Sequence, residues 1–174
     1  MFQRFASLTR FSHDWTITEK IDGTNACIII EPDEGRAAWG DQENDYAIID
    51  RVVGPTGGGF FVYAQSRNNM IYLGKDNAGF AAWVAANAKA LVEILGQGYH
   101  YGEWCGAGIQ RRYGLSTKKF ALFNTKRWGD LTNHPEGGLL GGVLTVVPVL
   151  YQGYADNPGA IALELMATMK LKGS

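Results

Sequence analysis

The stretch Thr18-Glu19-Lys20-Ile21-Asp22-Gly23-Thr24-Asn25 places a charged, glycine-containing turn between two apolar runs. Residues 15–18 before it and residues 26–30 after it have the composition of short β-strands. The turn therefore holds Lys20 close to the end of a strand. An amine beside a buried strand end loses solvation and shifts toward its neutral form, which is a nucleophile. The pattern predicts that Lys20 is a covalent nucleophile.

An ordinary β-hairpin is the alternative interpretation of the same turn. In that case Asp22 and Gly23 supply the backbone dihedral angles of a tight turn, and Lys20 points into water. A short string such as Lys-Ile-Asp-Gly also recurs by chance in unrelated proteins. Segments elsewhere in the chain are therefore needed to choose between the two interpretations.

Three further segments with chemically useful side chains follow the turn. They are Gln65-Ser66-Arg67-Asn68, Tyr101-Gly102-Glu103-Trp104-Cys105-Gly106 and Lys119-Phe120-Ala121-Leu122-Phe123-Asn124. Together with residues 20–25 they resemble, in the same order, four motifs of the covalent nucleotidyltransferases. This superfamily contains the ATP-dependent DNA and RNA ligases and the mRNA capping enzymes. The run of residues 102–110 is most similar to the RNA ligase branch, particularly the small phage-type RNA repair ligases.

The resemblance implies an α+β fold, the nucleotidyltransferase or ligase adenylylation domain, with antiparallel sheets and flanking helices. The residue pattern indicates the same class, because short β-branched and aromatic runs alternate with amphipathic segments. We expect one domain over residues 1–174, incomplete at its C-terminus. Further strands are predicted at residues 60–64, 99–104, 120–123 and 143–150.

Two helices are predicted from apolar periodicity and capping residues. The first covers about residues 77–95, with Asp76 or Asn77 at its start and Gly96 at its end. The second runs from residue 157 through residue 169 and stops at Gly173. The remaining segments are predicted to be an ordered lead-in at residues 1–13 and a surface excursion at residues 31–59.

By resemblance, three side chains beyond the turn contact the nucleotide. Arg67 meets a phosphate or ribose, which suits a planar guanidinium because it donates bidentate hydrogen bonds. Glu103 contacts the ribose or holds the metal, since a carboxylate accepts hydrogen bonds from hydroxyls and binds Mg²⁺. Phe123 stacks on adenine, while Phe120 faces the core. The alternatives are a surface charge for Arg67, a solvent-facing strand residue for Glu103 and an ordinary core aromatic for Phe123.

Within the turn, the resemblance implies three more contacts. Glu19 lies near the adenine edge, and Asp22 and Asn25 lie near the nucleotide or its metal. Ordinary turn chemistry is the alternative for all three residues.

The reaction implied by the resemblance is in-line attack by the Lys20 amine on the α-phosphate of ATP, which gives lysyl-AMP and pyrophosphate. The AMP then passes to a 5′-phosphate end, and a 3′-hydroxyl displaces it to seal the strand. The implied cofactors are ATP and Mg²⁺ or Mn²⁺. The implied partner is RNA; a nicked duplex and an RNA/DNA hybrid are candidate forms, and the choice between nicks and free ends stays open.

Composition limits the expected partners and compartment. The 174 residues carry a net charge of −1, so an RNA-binding surface must come from local clusters. Two cysteines, Cys27 and Cys105, are expected to be free thiols in a reducing compartment. There is no signal-peptide pattern and no apolar run near the roughly 18 residues of a spanning helix, so we expect a cytoplasmic protein without a membrane partner. The basic clusters are Arg111-Arg112, Lys118-Lys119 and Lys126-Arg127.

The later superfamily motifs, an acid-glycine pair before an apolar strand and a strand with two lysines, are not recognised. Glu136 lies in a stretch that resembles the acid-glycine pair but comes too early, and it is interpreted as a loop residue. Lys170 and Lys172 are predicted at a helix end, where the dipole favours cations. We expect a missing C-terminal segment or a partner chain to supply these motifs. A DNA ligase or capping-type enzyme, and a non-catalytic nucleotide- or RNA-binding fragment, stay open as alternatives.

Overall fold

The computed structural model describes residues 13–33, 47–111, 113–135 and 138–172. Several sequence predictions fall outside these ranges, namely the lead-in before His13, the middle of the 31–59 excursion, Arg112, Glu136 and the stop at Gly173. The chain divides into two compact units. One unit combines residues 1–20 with residues 148–174, and the other comprises residues 21–147. The single-domain interpretation stays a prediction.

The described residues form strands and helices in mixed order along the chain, which agrees with the predicted α+β class. The helices are α1 Phe80–Leu95, α2 Thr125–Trp128 and α3 Pro158–Lys172, and a 3-10 helix covers Gly129–Asn133. The strands are β1 His13–Thr18, β2 Thr24–Pro32, β3 Asp50–Val53, β4 Gly59–Ser66, β5 Met70–Ile71, β6 Gly98–Gly106, β7 Lys118–Leu122, β8 Leu144–Val146 and β9 Val149–Ala155.

A seven-stranded sheet organises the 21–147 unit. Its strand order is β3-β4-β2-β6-β7-β8, and β5 pairs with β4. Neighbouring strands are antiparallel except β7 and β8, which are parallel. β2 lies between β4 and β6, and the register places Asn25 opposite Glu103 and Cys27 opposite both Tyr101 and Gln65. This central strand therefore carries motif residues into the middle of the sheet.

β2 carries apolar side chains on both faces, because a hydrophobic cluster covers each face over part of the strand. Ala26, Ile28 and Ile30 join the main core, whereas Cys27 and Ile29 join a smaller cluster. Successive side chains of a strand point to opposite faces, so this division follows directly from the strand geometry. The main core also contains the buried face of α1, and the smaller cluster lies on the opposite side of the sheet.

Aromatic rings fill the space between α1 and the sheet. The Phe80 ring lies 5.2 Å from the Trp104 ring and 5.0 Å from the Phe120 ring, measured between centroids. Trp83 joins them, 5.3 Å from Trp104. The indole N–H of Trp104 donates to the Ala78 carbonyl at 3.0 Å, so the buried polar atom of this tryptophan is satisfied.

α1 begins three residues later than the sequence predicts. Ala78 and Gly79 have positive φ values of 51° and 78°, which are incompatible with a right-handed helix. Asp76 still caps the helix, because its Oδ1 accepts the N–H of Ala81 at 2.7 Å and its Oδ2 accepts that of Ala82 at 3.2 Å. The predicted end is confirmed, since Gly96 follows Leu95 with a φ of 67°.

The smaller unit contains β1, β9 and α3. β1 and β9 pair antiparallel, from His13 opposite Ala155 to Thr18 opposite Val149. Beyond the paired residues, the Glu19 N–H donates to the Pro148 carbonyl at 2.9 Å. The predicted C-terminal helix is confirmed as α3, which ends at Lys172.

Two sequence predictions about the strands are wrong, and the alternative interpretation of the turn as a hairpin is excluded. The hairpin interpretation of the turn fails because β1 and β2 belong to different sheets. The predicted strand at residues 143–150 is two strands, β8 and β9, which also belong to different sheets. Pro148 separates them, since it has no N–H to donate to a ladder. The predicted excursion contains β3, an edge strand that pairs with β4, and the fully buried Ala47.

Within the described part of the chain, no helix has the length and apolar character needed to cross a membrane.

Candidate functional site

The turn after Lys20 is held against β6 by close backbone approach. The N–H of Gly23 donates to Oε1 of Glu103 at 3.0 Å. A Cβ atom at position 23 would lie 2.4 Å from the Trp104 carbonyl oxygen and 2.9 Å from the Cys105 Cβ. Glycine is therefore required at this position for space, because any side chain would force the turn away from β6.

A chain of hydrogen bonds joins three of the predicted site residues. Asn25 Nδ2 donates to Oε2 of Glu103 at 2.7 Å, and Arg67 Nε donates to Oδ1 of Asn25 at 2.8 Å. Asn25 and Glu103 face each other across the β2–β6 pair, and Arg67 directly follows the end of β4. Three strands thus bring together residues that are far apart in the sequence.

The donors and acceptors in this chain fix the orientation of the Asn25 amide. A carboxylate only accepts and a guanidinium only donates, so the Asn25 NH₂ group must face Glu103 and its oxygen must face Arg67. Glu103 is 7% exposed, and its two oxygens accept from Gly23 and Asn25. The buried carboxylate is therefore satisfied by hydrogen bonds and orients both the turn and Asn25.

A pocket of about 260 Å³ opens beside Asn25 and Arg67. Phe123 lies directly after β7, is 44% exposed and lines this pocket, whereas Phe120 is fully buried in the main core. The two phenylalanines therefore have the different environments that the sequence predicts. We call this space the Asn25 pocket; its lining residues are Asn25, Ala26, Cys27, Gln65, Ser66, Arg67, Tyr101 and Phe123.

Sequence reasoning missed the contacts of Asp22. Its N–H donates to the Tyr113 hydroxyl at 2.6 Å, and its Oδ2 lies 3.6 Å from Nε of Arg111 on an exposed surface. The loop after β6 folds back onto the turn with positive φ values at Gln110 and Tyr113, 31° and 49°. The glycines at positions 106, 108 and 114 signal a loop, but nothing in the sequence identifies Asp22 as its partner.

The sequence model of the RNA ligase family matches residues 13–172. The chain belongs to the RNA ligase family. The match contains every segment on which the resemblance is based, and it confirms that resemblance at the level of the family. Searches of curated proteins and of solved structures gave no significant match.

Two residues expected at the RNA ligase site, Glu19 and Lys20, are the last residues of the first segment of the smaller unit. Lys20 is exposed, so the burial expected from the sequence is not observed. Its role as nucleophile stays a prediction, as do the nucleotide contacts of Glu19, Asp22, Asn25, Arg67, Glu103 and Phe123.

Cys27 lines the Asn25 pocket but is not suited to nucleophilic chemistry. Its side chain is 1% exposed, and burial raises its pKa to about 12, despite a hydrogen bond with the backbone of His100 that lowers the pKa. The thiol is therefore protonated at neutral pH. Cys27 and Cys105 are both buried, and neither forms a disulfide.

No three metal-binding side chains converge within the described ranges of this member of the RNA ligase family. Mg²⁺ in nucleotide-binding enzymes commonly takes one or two carboxylates and completes its shell with substrate phosphates and water. Glu103 fits such a site only through lone pairs that Gly23 and Asn25 leave free. Its role as a metal ligand stays a prediction.

Each of the three basic clusters has a member in a structural contact. Lys118 Nζ donates to the Ala78 carbonyl at 2.8 Å, and Arg127 Nη2 donates to the Leu95 carbonyl at 2.6 Å, at the C-terminus of α1. Arg111 lies beside Asp22. Lys118 and Arg127 are thus bonded to the backbone around the site, whereas Arg111 belongs to an exposed ion pair.

Proposed function

We propose that this chain is an ATP-dependent RNA ligase with a nucleotidyltransferase fold, and that Lys20 carries the AMP. The Lys20 amine attacks the α-phosphorus of ATP, a P–N bond forms, and the bond to pyrophosphate breaks while the amine loses its proton. An oxygen of an RNA 5′-phosphate then displaces the lysine and takes the AMP. A 3′-hydroxyl attacks the activated 5′-phosphate, AMP leaves, and the RNA strand is sealed.

The hydrogen-bonded chain from Gly23 to Arg67 is the observation that carries this proposal. Lys20 precedes Gly23 by three residues, so its Cα is tethered within roughly 11 Å of the Gly23 Cα by chain length alone. Glu103 holds Gly23, and through Asn25 it also orients Arg67. The tether supports a nucleophile that acts on a nucleotide in the Asn25 pocket.

Three residues that line the pocket, and Glu103 beside Asn25, have roles that their chemistry supports. The exposed Arg67 has N–H groups beyond the one bonded to Asn25, and these bind a phosphate or the ribose. Phe123 presents its half-exposed ring to adenine. Asn25 acts by positioning Arg67, because both ends of its amide are already engaged. Bound Mg²⁺ offsets charge on the phosphates, and Glu103 is the side chain that would hold it.

Intact mass spectrometry after incubation with ATP and Mg²⁺ tests the first step. We expect one AMP adduct on the parent chain and none on Lys20→Ala, because a methyl side chain has no nucleophile. Lys89→Ala is the matched control, since Lys89 is an exposed lysine on α1, and it should keep the adduct. An adduct on Lys20→Ala would show that another residue is the nucleophile.

The nucleotide and strand specificity needs a second measurement. The parent chain is incubated with ATP or GTP and with strands that carry a 5′-phosphate beside a 3′-hydroxyl. Joining of RNA ends is the expected result, and free single strands, a nicked duplex and an RNA/DNA hybrid are compared as substrates. Preference for GTP would support a capping-type enzyme instead, and joining restricted to nicked DNA would support a DNA ligase.

A second candidate function is nucleotide or RNA binding without the covalent step. The position of Lys170 and Lys172 favours it, because both lie in α3, whereas the family resemblance places two phosphate-binding lysines on a strand. Saturable ATP binding by the parent chain, with no adduct under the conditions above, would support this candidate over the ligase.

A further inference from the structure

Two tyrosines of β6 form an exposed ring pair beside the Asn25 pocket. Tyr99 and Tyr101 lie two residues apart, so both point to the face of the sheet that carries Glu103. Their ring centroids are 6.2 Å apart with an interplanar angle of 21°, and the residues are 55% and 53% exposed. Contiguous exposed apolar surface, unlike single scattered residues, is typical of an interaction site.

A second pocket of about 260 Å³ adjoins this pair. It shares Tyr101 and Phe123 with the Asn25 pocket, so the aromatic surface continues from one pocket into the other. We call Tyr99, Tyr101 and Phe123 the aromatic platform. Each pocket also contains one arginine, Arg67 in the first and Arg127 in the second. Among the described residues that line the two pockets, none carries a carboxylate.

The aromatic platform is held in place before any ligand binds. The Tyr101 carbonyl accepts a hydrogen bond from the Phe123 N–H at 2.9 Å. The Tyr99 hydroxyl donates to Oε1 of Glu31 at 3.3 Å. The negative charge of Glu31 raises the pKa of Tyr99, so this phenol stays neutral beside a phosphate. Both tyrosines lie in a central strand and each has only two side-chain dihedral angles, so a ligand that stacks on them restricts few rotatable bonds.

Arg127 is similarly fixed at the edge of the second pocket. It donates to Leu95 and lies over the Trp128 ring, 4.6 Å from its centroid. That hydrogen bond uses one of the five N–H groups of the guanidinium, so the side chain still has donors for an anion. The combination of stacked rings and one fixed cation matches a base with its adjoining phosphate.

We propose that Tyr99 and Tyr101 of the aromatic platform bind unpaired nucleobases of a single-stranded RNA end, next to the nucleotide that stacks on Phe123 in the Asn25 pocket. This inference rests on the proposed function, because it gives the RNA strand a place beside the adenylylation site. Base–aromatic stacking tolerates any base, and single-stranded RNA exposes the faces of its bases whereas a duplex does not. Binding is therefore sequence-tolerant, strand-selective and weakened by salt.

The test is fluorescence anisotropy with a fluorescein-labelled single-stranded oligoribonucleotide, without ATP so that no turnover occurs. Tyr99→Ala should weaken binding on the order of 5- to 150-fold, which is the range for loss of one stacked base. Tyr99→Phe should bind within about twofold of the parent, because it keeps the ring. A labelled RNA duplex of the same sequence should show little dependence on Tyr99.

Tyr154 provides the matched control. It is 61% exposed, and its hydroxyl donates to an Asp156 carboxylate oxygen at 3.0 Å, as that of Tyr99 does to Glu31. Tyr154→Ala should bind the oligonucleotide as the parent does. The inference is overturned if Tyr99→Ala binds like the parent, if Tyr154→Ala loses as much affinity, or if duplex binding falls equally.

The same variants separate this inference from the proposed function. Tyr99→Ala should still form the AMP adduct, since Tyr99 does not line the Asn25 pocket. If Tyr99→Ala forms the adduct and binds RNA as the parent does, the platform inference is overturned and the ligase proposal stands. If the parent chain forms no adduct but Tyr99→Ala binds RNA more weakly than the parent, the ligase proposal is overturned. The platform would then be supported as an RNA-binding site.

Discussion

The two faces of the seven-stranded sheet differ in what covers them. On one face, α1 covers β2, β4 and β6 with a continuous apolar core that includes the fully buried Ile28, Phe80 and Phe120. On the other face, a small cluster around Cys27 and Tyr63 covers only part of the strands. Next to it lie the Glu103–Asn25–Arg67 hydrogen bonds and the exposed aromatic platform.

This difference separates stability from candidate function. Burial of apolar area is the main stabilising term in folding, so the α1 face should carry most of the free energy of unfolding. The opposite face contains buried polar groups with specific partners and aromatic rings left in water, which contribute less to stability. Substitutions on the two faces should therefore have different consequences, even between residues of the same type.

The pair Phe120 and Phe123 tests the contrast most directly. Phe120→Ala should lower the free energy of unfolding by about 3–5 kcal/mol, because it removes a fully buried ring that packs against Phe80. Phe123→Ala should change it by less than about 1 kcal/mol, because its ring is already partly in water. Urea denaturation followed by tryptophan fluorescence measures both values.

The reverse order is expected for nucleotide binding. Phe123→Ala should weaken ATP binding on the order of 5- to 150-fold if the ring stacks on adenine. If Phe123→Ala instead destabilises the chain as much as Phe120→Ala, the assignment of Phe123 to the open face is wrong.

Glu103→Gln tests the polar part of the second face and should have an intermediate effect. A glutamine has one oxygen and one NH₂ group, so either Gly23 or Asn25 loses its acceptor and faces a donor. The expected loss is about 1–3 kcal/mol in the free energy of unfolding, with loss of AMP adduct formation because the turn and Arg67 are no longer oriented together. Glu93→Gln, at an exposed position of α1, should leave both unchanged.

His100 gives a smaller, pH-dependent effect on the α1 face. Burial lowers its pKa from the model-compound value of 6.5, the hydrogen bond to the Gly96 carbonyl raises it, and the charge of Arg127 lowers it. The unfolded chain therefore takes up this proton at a higher pH than the folded chain. The contribution of His100 to the free energy of unfolding is therefore complete above pH 6.5. It is lost as the pH falls from 6.5 toward the folded-state pKa of His100.

Urea midpoints at about pH 7.5 and about pH 5.5 measure this effect. His100→Gln keeps a donor for Gly96 and has no titration in this range, so its midpoint should fall less on acidification than that of the parent. If the urea midpoint falls equally in the parent and in His100→Gln, groups other than His100 cause the pH dependence.

Local patterns gave most of the strands and both long helices, because alternation and capping depend on residues close in sequence. They did not show that Val147-Pro148 divides one apolar run between two sheets, since strand pairing is a long-range contact. They also placed the start of α1 too early. Asp76 caps the helix, but Ala78 and Gly79 have positive φ values and lie before its first turn.

The amino-acid sequence alone determined which residues are chemically suited to the site and the family to which they point. The order of the Lys20, Arg67, Glu103 and Phe123 segments is visible without coordinates, because the motifs are local. Only the tertiary structure decided that Gly23 is a glycine for lack of space beside β6, and that Asn25 bridges Glu103 and Arg67. Both depend on the pairing of β2 with β6 and β4, and strand register is set by packing over the whole sheet.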